Sequence, residues 1–339
     1  MSSPTPSSVS PLAAIRTLAL VGPAAAGKTS LAEALLVKAG AIGAPGTLER
    51  GSTVSDFDPL ERKMQHSLNA AVMHFKHAGT RVHFIDTPGA ADFLGQSLPA
   101  LEAVETAAVV INAAVGIEPM AIRMMEYAAS RHMDRLIVVN KIDAAEVDLP
   151  GLLTQIQATF GKECLPINLP DAGATKVVDC FFNREGHSDF GSVDAAHRAL
   201  VEQVVDVDEA LLDRYLNDGD VDPAELHAPL EQALREGHLI PVCFVSARSG
   251  AGVAELLDII VKQLPNPTEA NPPDFLKGEG EAAVPIQAKP DPSLHVLAHV
   301  FKVTVDPFVG RMGIFRVHQG TVTKDSQLYI GDGRKPFKV

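Results

Sequence analysis

Between residue 16 and about residue 264, short apolar runs alternate with longer stretches in which apolar residues recur at helical spacing. That is the pattern of parallel strands joined by crossover helices, and it predicts an α/β fold. Nearly continuous apolar runs, as expected of strands buried on both faces, mark 17–22, 81–86, 107–112, 135–140 and 241–246. Helical spacing marks 28–38, 120–131 and 252–264. From about 165 to 240 acidic helices at 205–217 and 223–235 break the rhythm, which predicts an insertion packed beside the sheet. Residues 265–293 are rich in Pro, Gly and Glu with no apolar period and read as a linker. From residue 294 alternating β residues at 297–305, 312–317 and 327–330, separated by Gly and Asp turns, predict the start of an antiparallel β domain. So few strands would leave an open sheet edge at Val339, so the chain is expected to be a piece of a longer protein. Residues 1–15 begin with a Ser/Pro-rich stretch and read as a disordered leader.

Composition narrows the function classes. The chain has 339 residues, 46% hydrophobic and 21% charged, the balance of a globular protein with a real core. Its 29 Lys and Arg against 42 Asp and Glu give a formal charge of −13, which argues against free DNA or an anionic membrane as a partner held by bulk attraction. Cys164, Cys180 and Cys243 have no paired spacing, so neither a disulfide framework nor a zinc site is expected, and a reducing cytoplasm fits. No apolar run reaches the roughly 18 residues of a membrane span. His66, His74, His77 and His83 lack the further ligands of a metal cluster and read as ordinary polar positions. Glu102 and Glu105 read as a solvated face.

The chemistry is carried by short motifs at strand ends. The first strand runs into GPAAAGKT at 22–29, a match to GxxxxGK[ST] between a strand and a helix. In such a loop Gly22 and Gly27 let the backbone amides of Pro23 to Ser30, Pro23 itself excepted, turn toward an anion through Ala24, Ala25 and Ala26. Lys28 would reach the β- and γ-phosphates, and Thr29 would offer its hydroxyl to Mg²⁺. DTPG at 86–89 ends another core strand; there Asp86 can hold the Mg²⁺ water shell and Gly89 can offer its amide to the γ-phosphate. NKID at 140–143 selects the base: the Asp143 carboxylate only accepts, so it matches the N1–H and N2–H₂ donors of guanine and meets an acceptor in adenine. Lys141 lies within the same motif, and Asn140 would brace the loops. At the end of the last strand, Ser246, Ala247 and Arg248 would supply a backbone N–H to guanine O6. Residues 45–67 are polar and irregular, which suits a mobile loop ordered by the γ-phosphate and Mg²⁺. Within it Ser67 is the candidate hydroxyl for Mg²⁺, ahead of Ser55 and Thr53.

With these residues the chain resembles the translational GTPases, specifically the elongation factor G family. The resemblance rests on residues 22–29, DTPGAADF at 86–93, 114–119 and 140–143, and on 298–317 with FKVTVDPFVG at 301–310 and FRVHQG at 315–320. It implies a GTP-binding domain over 16–264 with an inserted subdomain, a linker, and the truncated start of a β-barrel second domain at 294–339. It further implies GTP and GDP with Mg²⁺ as ligands, GTP hydrolysis using Lys28, Ser67 and Gly89, the ribosome as partner, and a cytoplasmic monomer. Family members usually carry His directly after DTPG, placed to orient the attacking water, and Asp two residues before the second P-loop glycine; here these are Ala90 and Ala25. The departures resemble the divergent elongation factor G-like paralogues and imply slow or partner-dependent hydrolysis. The competing reading is a GTP-binding switch or ribosome-associated regulator that acts by binding.

Overall fold

The computed structural model describes residues 12–218, 221, 225–273, 275–278, 280–330, 333 and 335–339. Most of the predicted leader, residues 1–11, lies outside them. Its last four residues are ordered: Leu12 to Ala14 form a turn and the first strand already begins at Ile15. The cause is local bonding, because the Arg16 guanidinium donates to Ala13 O at 2.7 Å and Arg81 N donates to Ala14 O at 2.8 Å.

The chain forms two compact units, Met1–Ala270 and Asn271–Val339. In the first, β1 (Ile15–Val21) runs into α1 (Lys28–Lys38). There follow α2 (Pro59–Met64), the hairpin β2 (Ala71–His77) and β3 (Thr80–Asp86), and α3 (Leu94–Leu101). Next come β4 (Thr106–Asn112), α4 (Pro119–Ser130), β5 (Asp134–Asn140) and α5 (Leu149–Phe160). The inserted region supplies β6 (Cys164–Pro166), β7 (Asn168–Asp171), β8 (Lys176–Asp179), α6 (Val193–Val205), α7 (Glu209–Asp218) and α8 (His227–Glu236), before β9 (Ile240–Phe244) and α9 (Val253–Lys262). Seven strands make one sheet in the order β2-β3-β1-β4-β5-β9-β6, parallel except for β2, which pairs antiparallel with β3. All seven residues of β4 are buried, which is why its run reads as continuously apolar. Each crossover in such a sheet leaves the carboxyl ends of the strands along one edge, where ligands of open α/β sheets bind.

The insertion differs in detail from its sequence pattern. The helix expected at 205–217 is α7 and begins only at Glu209, because Asp208 Oδ1 accepts the amides of Ala210 and Leu211 at 3.0 Å and caps it, while Val205 is the last residue of α6. Of the helix expected at 223–235, residues 223 and 224 lie outside the described residues and α8 begins only at His227. The insertion also gives the sheet its last strand, β6, and a buried Asn168 whose side chain accepts Phe244 N at 2.7 Å and donates to Phe244 O at 3.2 Å, acting as one more rung beside β9. Glu105 is buried rather than solvated, hydrogen-bonded to the Thr17 hydroxyl, which in turn accepts Glu105 N. Glu102 holds Tyr127 Oη at 2.5 Å and Arg131 at 2.6 Å.

The second unit consists of antiparallel pairs: β10 (Phe275–Lys277) with β11 (Val284–Ile286), β12 (Leu297–Asp306) with β13 (Gly310–Gln319), and β14 (Gln327–Leu328) with β15 (Phe337–Lys338). The stretch 265–293, read as a structureless linker, thus contains a short ribbon. Three-residue strands are too brief to leave an alternating signal among Pro and Gly. Among the described residues no helix is long and apolar enough to cross a membrane.

Candidate functional site

The loop after β1 is shaped by glycine where no side chain fits. Gly22 has φ +129° and a Cβ there would lie 2.5 Å from Val110 O, while Gly27 takes a left-handed conformation, φ 88°, as the N-cap of α1. Between them Pro23 and Ala26 are buried and Ala24 and Ala25 are exposed. Lys28, the first residue of α1, folds back over the loop and donates to Gly22 O at 3.0 Å and Pro23 O at 2.8 Å. Burial holds its pKa down to about 8, against the raising influence of Asp86 and Glu118. Ser30 lies exposed on the first turn of α1.

Thr29, Ser67 and Asp86 come together from α1, the 46–69 segment and the end of β3. Thr29 Oγ1 donates to Asp86 Oδ2 at 2.7 Å, and Ser67 Oγ donates to Asp56 Oδ1 at 2.7 Å. Each hydroxyl has one proton and both are thereby used, yet the two oxygens lie 3.3 Å apart, lone pairs toward each other. Asp86 Oδ1 is buried without a partner, as is Ser55 Oγ, which lies close enough to favour the carboxylate without meeting hydrogen-bond geometry. This set of facing oxygens with one orphan carboxylate oxygen fits a hard cation such as Mg²⁺. Burial raises the Asp86 pKa to about 6; the Thr29 hydrogen bond and Lys28 oppose the shift, and Asp56 adds to it.

Asp56 is the residue that the motifs miss. It is 2% exposed and also takes Thr53 Oγ1 at 3.1 Å. The loop around it is built on two further buried carboxylates: Glu33 accepts Gly46 N and Val54 N, and Glu61 accepts Leu68 N and Asn69 N. The segment expected to be irregular therefore holds α2 and a set of anchored amides. Nothing periodic marks such carboxylates in a sequence, since their burial depends on what folds over them.

The DTPG turn rests on the loop. Thr87 Oγ1 donates to Leu20 O at 2.7 Å and Ser97 Oγ to Pro88 O at 2.9 Å, and a Cβ on Gly89 would collide with Lys28 Nζ and Ala24 N. At the other end, the fully buried Asn140 carboxamide donates to Ala26 O at 3.0 Å and accepts Lys141 N at 2.8 Å and Ala247 N at 3.0 Å. Lys141 Nζ donates to Ala25 O at 2.8 Å, and Ser246 Oγ accepts Ser249 N at 3.0 Å. Asp143 and Arg248 are exposed at the rim.

If a cation and phosphates bind at these two shifted groups, their binding is linked to protons. A buried Asp with a raised pKa favours its proton in the folded state, so its contribution to stability is present below its unfolded value of 3.8 and is lost as pH rises through about 6. A cation reverses that preference. At pH 6, titrating the protein with Mg–GDP by calorimetry in buffers of different ionisation enthalpy should show more proton release from wild type than from Asp86→Asn. Near pH 8 phosphates should return a proton to Lys28. Equal release from both proteins would place the cation away from Asp86.

Comparisons with known proteins bear on the family of this fold. The elongation factor Tu GTP binding domain matches residues 13–266. An elongation factor G-like protein of Mycobacterium tuberculosis is 33% identical over 329 residues, which is 93% of this chain and 46% of that protein. Elongation factor G of Thermotoga maritima is 27% identical over 93% of this chain and 48% of its own. A Thermus thermophilus protein of known crystal structure superposes with TM-score 0.78 at 32% identity, over 96% of this chain and 50% of the other. The chain thus spans about half the length of the relatives it matches. With a P-loop, a DTPG turn and an NKID motif at the carboxyl ends of one sheet, and that domain matched across three quarters of its length, the chain belongs to the translational GTPases of the elongation factor G family.

Proposed function

We propose that this chain binds GTP and GDP with Mg²⁺ and hydrolyses GTP in contact with the ribosome. On this reading 16–264, with its 165–240 insertion, is the nucleotide domain and 294–339 begins a β-barrel domain. The observation that carries the reading is the Asn140 carboxamide, which ties the phosphate loop at Ala26 to the base-side loop at Ala247, so that one crevice serves both ends of a nucleotide.

Thr29 and Ser67 would hold Mg²⁺ with their hydroxyls and Asp86 would hold its water shell. Bound there, the ion would neutralise charge on the β- and γ-phosphates. Lys28 would exchange its two carbonyl partners for phosphate oxygens, and Gly89 would donate its amide to the γ-phosphate. Asp143 would accept from guanine N1–H and N2–H₂. Because Ser246 N and Ala247 N are already bonded to Ala251 O and Asn140 Oδ1, the Arg248 amide is the donor best placed for guanine O6. In the reaction the water oxygen bonds to the γ-phosphorus, the bridging bond to the β-phosphate breaks, and the water proton passes to the released phosphate. With the methyl of Ala90 following Gly89, turnover without a partner is expected to be slow.

Multiple-turnover hydrolysis with and without ribosomes tests the proposal. Acceleration by ribosomes is expected. Tight GTP binding with no acceleration under any condition would instead assign the chain to the switches that act by binding.

A further inference from the structure

The inserted region brings together three metal-ligating side chains that the nucleotide reading does not use. One donor atom each from Asp171, His187 and Asp189 lies within 4.8 Å of those from the other two, and among the described residues no other group of three or more His, Cys, Asp and Glu is so gathered. We propose that these three residues form a second metal site, suited to a divalent transition ion such as Zn²⁺. No cysteine takes part.

The ligands come from two segments that packing holds together. Asp171 ends β7, while His187 and Asp189 flank Ser188 in the loop before α6. Ser188 Oγ donates to Pro170 O at 2.7 Å, which pins the loop to the strand one residue before Asp171. Phe190 then lays its ring on the fully buried Phe244, with centroids 5.1 Å apart. The trio is therefore positioned by the core and by a neutral hydrogen bond, not only by attraction among its own charges.

Each carboxylate has one oxygen held by a group outside the trio. Lys176 Nζ lies 2.8 Å from Asp171 Oδ2, and Gly173 N donates to Asp189 Oδ2 at 2.8 Å. Outer partners of this kind fix the orientation of metal-bound carboxylates. They leave Asp171 Oδ1 and Asp189 Oδ1 for an ion, with His187 Nδ1 2.7 Å from the first. Donors around a tetrahedral ion of this size stand about 3.3 Å apart, so a small spreading at His187 and a small closure of the exposed Asp189 complete the set. In the present contact Nδ1 donates to Oδ1, and it gives up that proton as the ion enters. The Asp171 side chain is 4% exposed and that of His187 80%, so the ion would rest on a buried carboxylate with its outer side open to water. An imidazole with two carboxylates suits Zn²⁺ or Co²⁺, whereas Mg²⁺ and Ca²⁺ take oxygen ligands. Bound there, the ion would cross-link the β7–β8 hairpin to the loop ahead of α6.

The test is calorimetric titration of Zn²⁺ into the untagged chain after removal of metals, with excess Mg²⁺ and GDP present to occupy the nucleotide crevice. One Zn²⁺ per chain is expected, with a rise in the thermal unfolding temperature and, for Co²⁺ in its place, the visible absorption of a four-coordinate ion. His187→Ala and Asp189→Asn change exposed side chains and should stay folded, keep GDP binding, and lower Zn²⁺ affinity by about 10-fold or more. Unchanged Zn²⁺ affinity in either variant, or no Zn²⁺ binding by wild type, overturns the proposal and leaves the trio as an ion-pair cluster around Lys176. Preference for Ca²⁺ or Mg²⁺ over Zn²⁺ overturns the choice of metal class.

Discussion

Lys28→Ala should abolish tight binding of GTP while leaving a folded protein. In the structure Lys28 is 6% exposed, and among the described residues its ammonium donates to two carbonyls, Gly22 O and Pro23 O. Its pKa of about 8 records how poorly these neutral partners compensate for burial. Phosphate oxygens would compensate fully, which is why so much affinity should rest on this one side chain. A hydrogen bond to a charged group contributes about 1.5–3 kcal/mol, so two such bonds to phosphates give about 4 kcal/mol, or about a thousandfold in Kd. The fold should tolerate the change: alanine is a better helix former at the start of α1, and removing the amine relieves a buried charge while leaving two carbonyls to water. The measurement is GTP affinity by fluorescence beside thermal unfolding. Unchanged affinity in a folded variant would remove the P-loop assignment.

The second large effect is expected in base choice. Asp143→Asn should weaken GTP and favour xanthosine triphosphate. On the proposed reading the aspartate would accept from both guanine donors, whereas an asparagine would present its own NH₂, which opposes the guanine amine and donates to the 2-oxo group of xanthine. Sites built around such a pair reject the wrong partner by about 10⁴-fold or more, because a buried polar group is left unsatisfied. Asp143 is exposed at the rim with no recorded hydrogen bond to another described residue, so the substitution should leave stability unchanged and read out recognition alone. Competition between GTP and xanthosine triphosphate measures it. Preference unaltered by the change would mean that the base is read elsewhere.

Not all of this architecture was equally legible. Helix α1 spans Lys28–Lys38 as its periodicity predicts, and the core strands lie within two residues of the apolar runs that mark them. These elements carry their own signal, because a strand buried on both faces must be apolar throughout. β6 has only three residues and joins the sheet through partners far along the chain, so its existence is decided by β9. The break between α6 and α7 turned on one side chain, Asp208, choosing to cap rather than to lie along a helix. The ribbon at 275–286 was hidden by its own brevity.

The candidate site divides in the same way. GPAAAGKT, DTPG and NKID are contiguous, and their chemistry is read from local backbone freedom and residue type, so the linear chain alone carries the nucleotide-binding pattern and the expectation of a guanine-matching carboxylate. Asp56 under Ser67 and the two hydroxyls with no proton left between them depend on segments folding over one another. Such contacts leave no period and no spacing, because a side chain's partner is fixed by the packing of the whole sheet rather than by its neighbours in the chain.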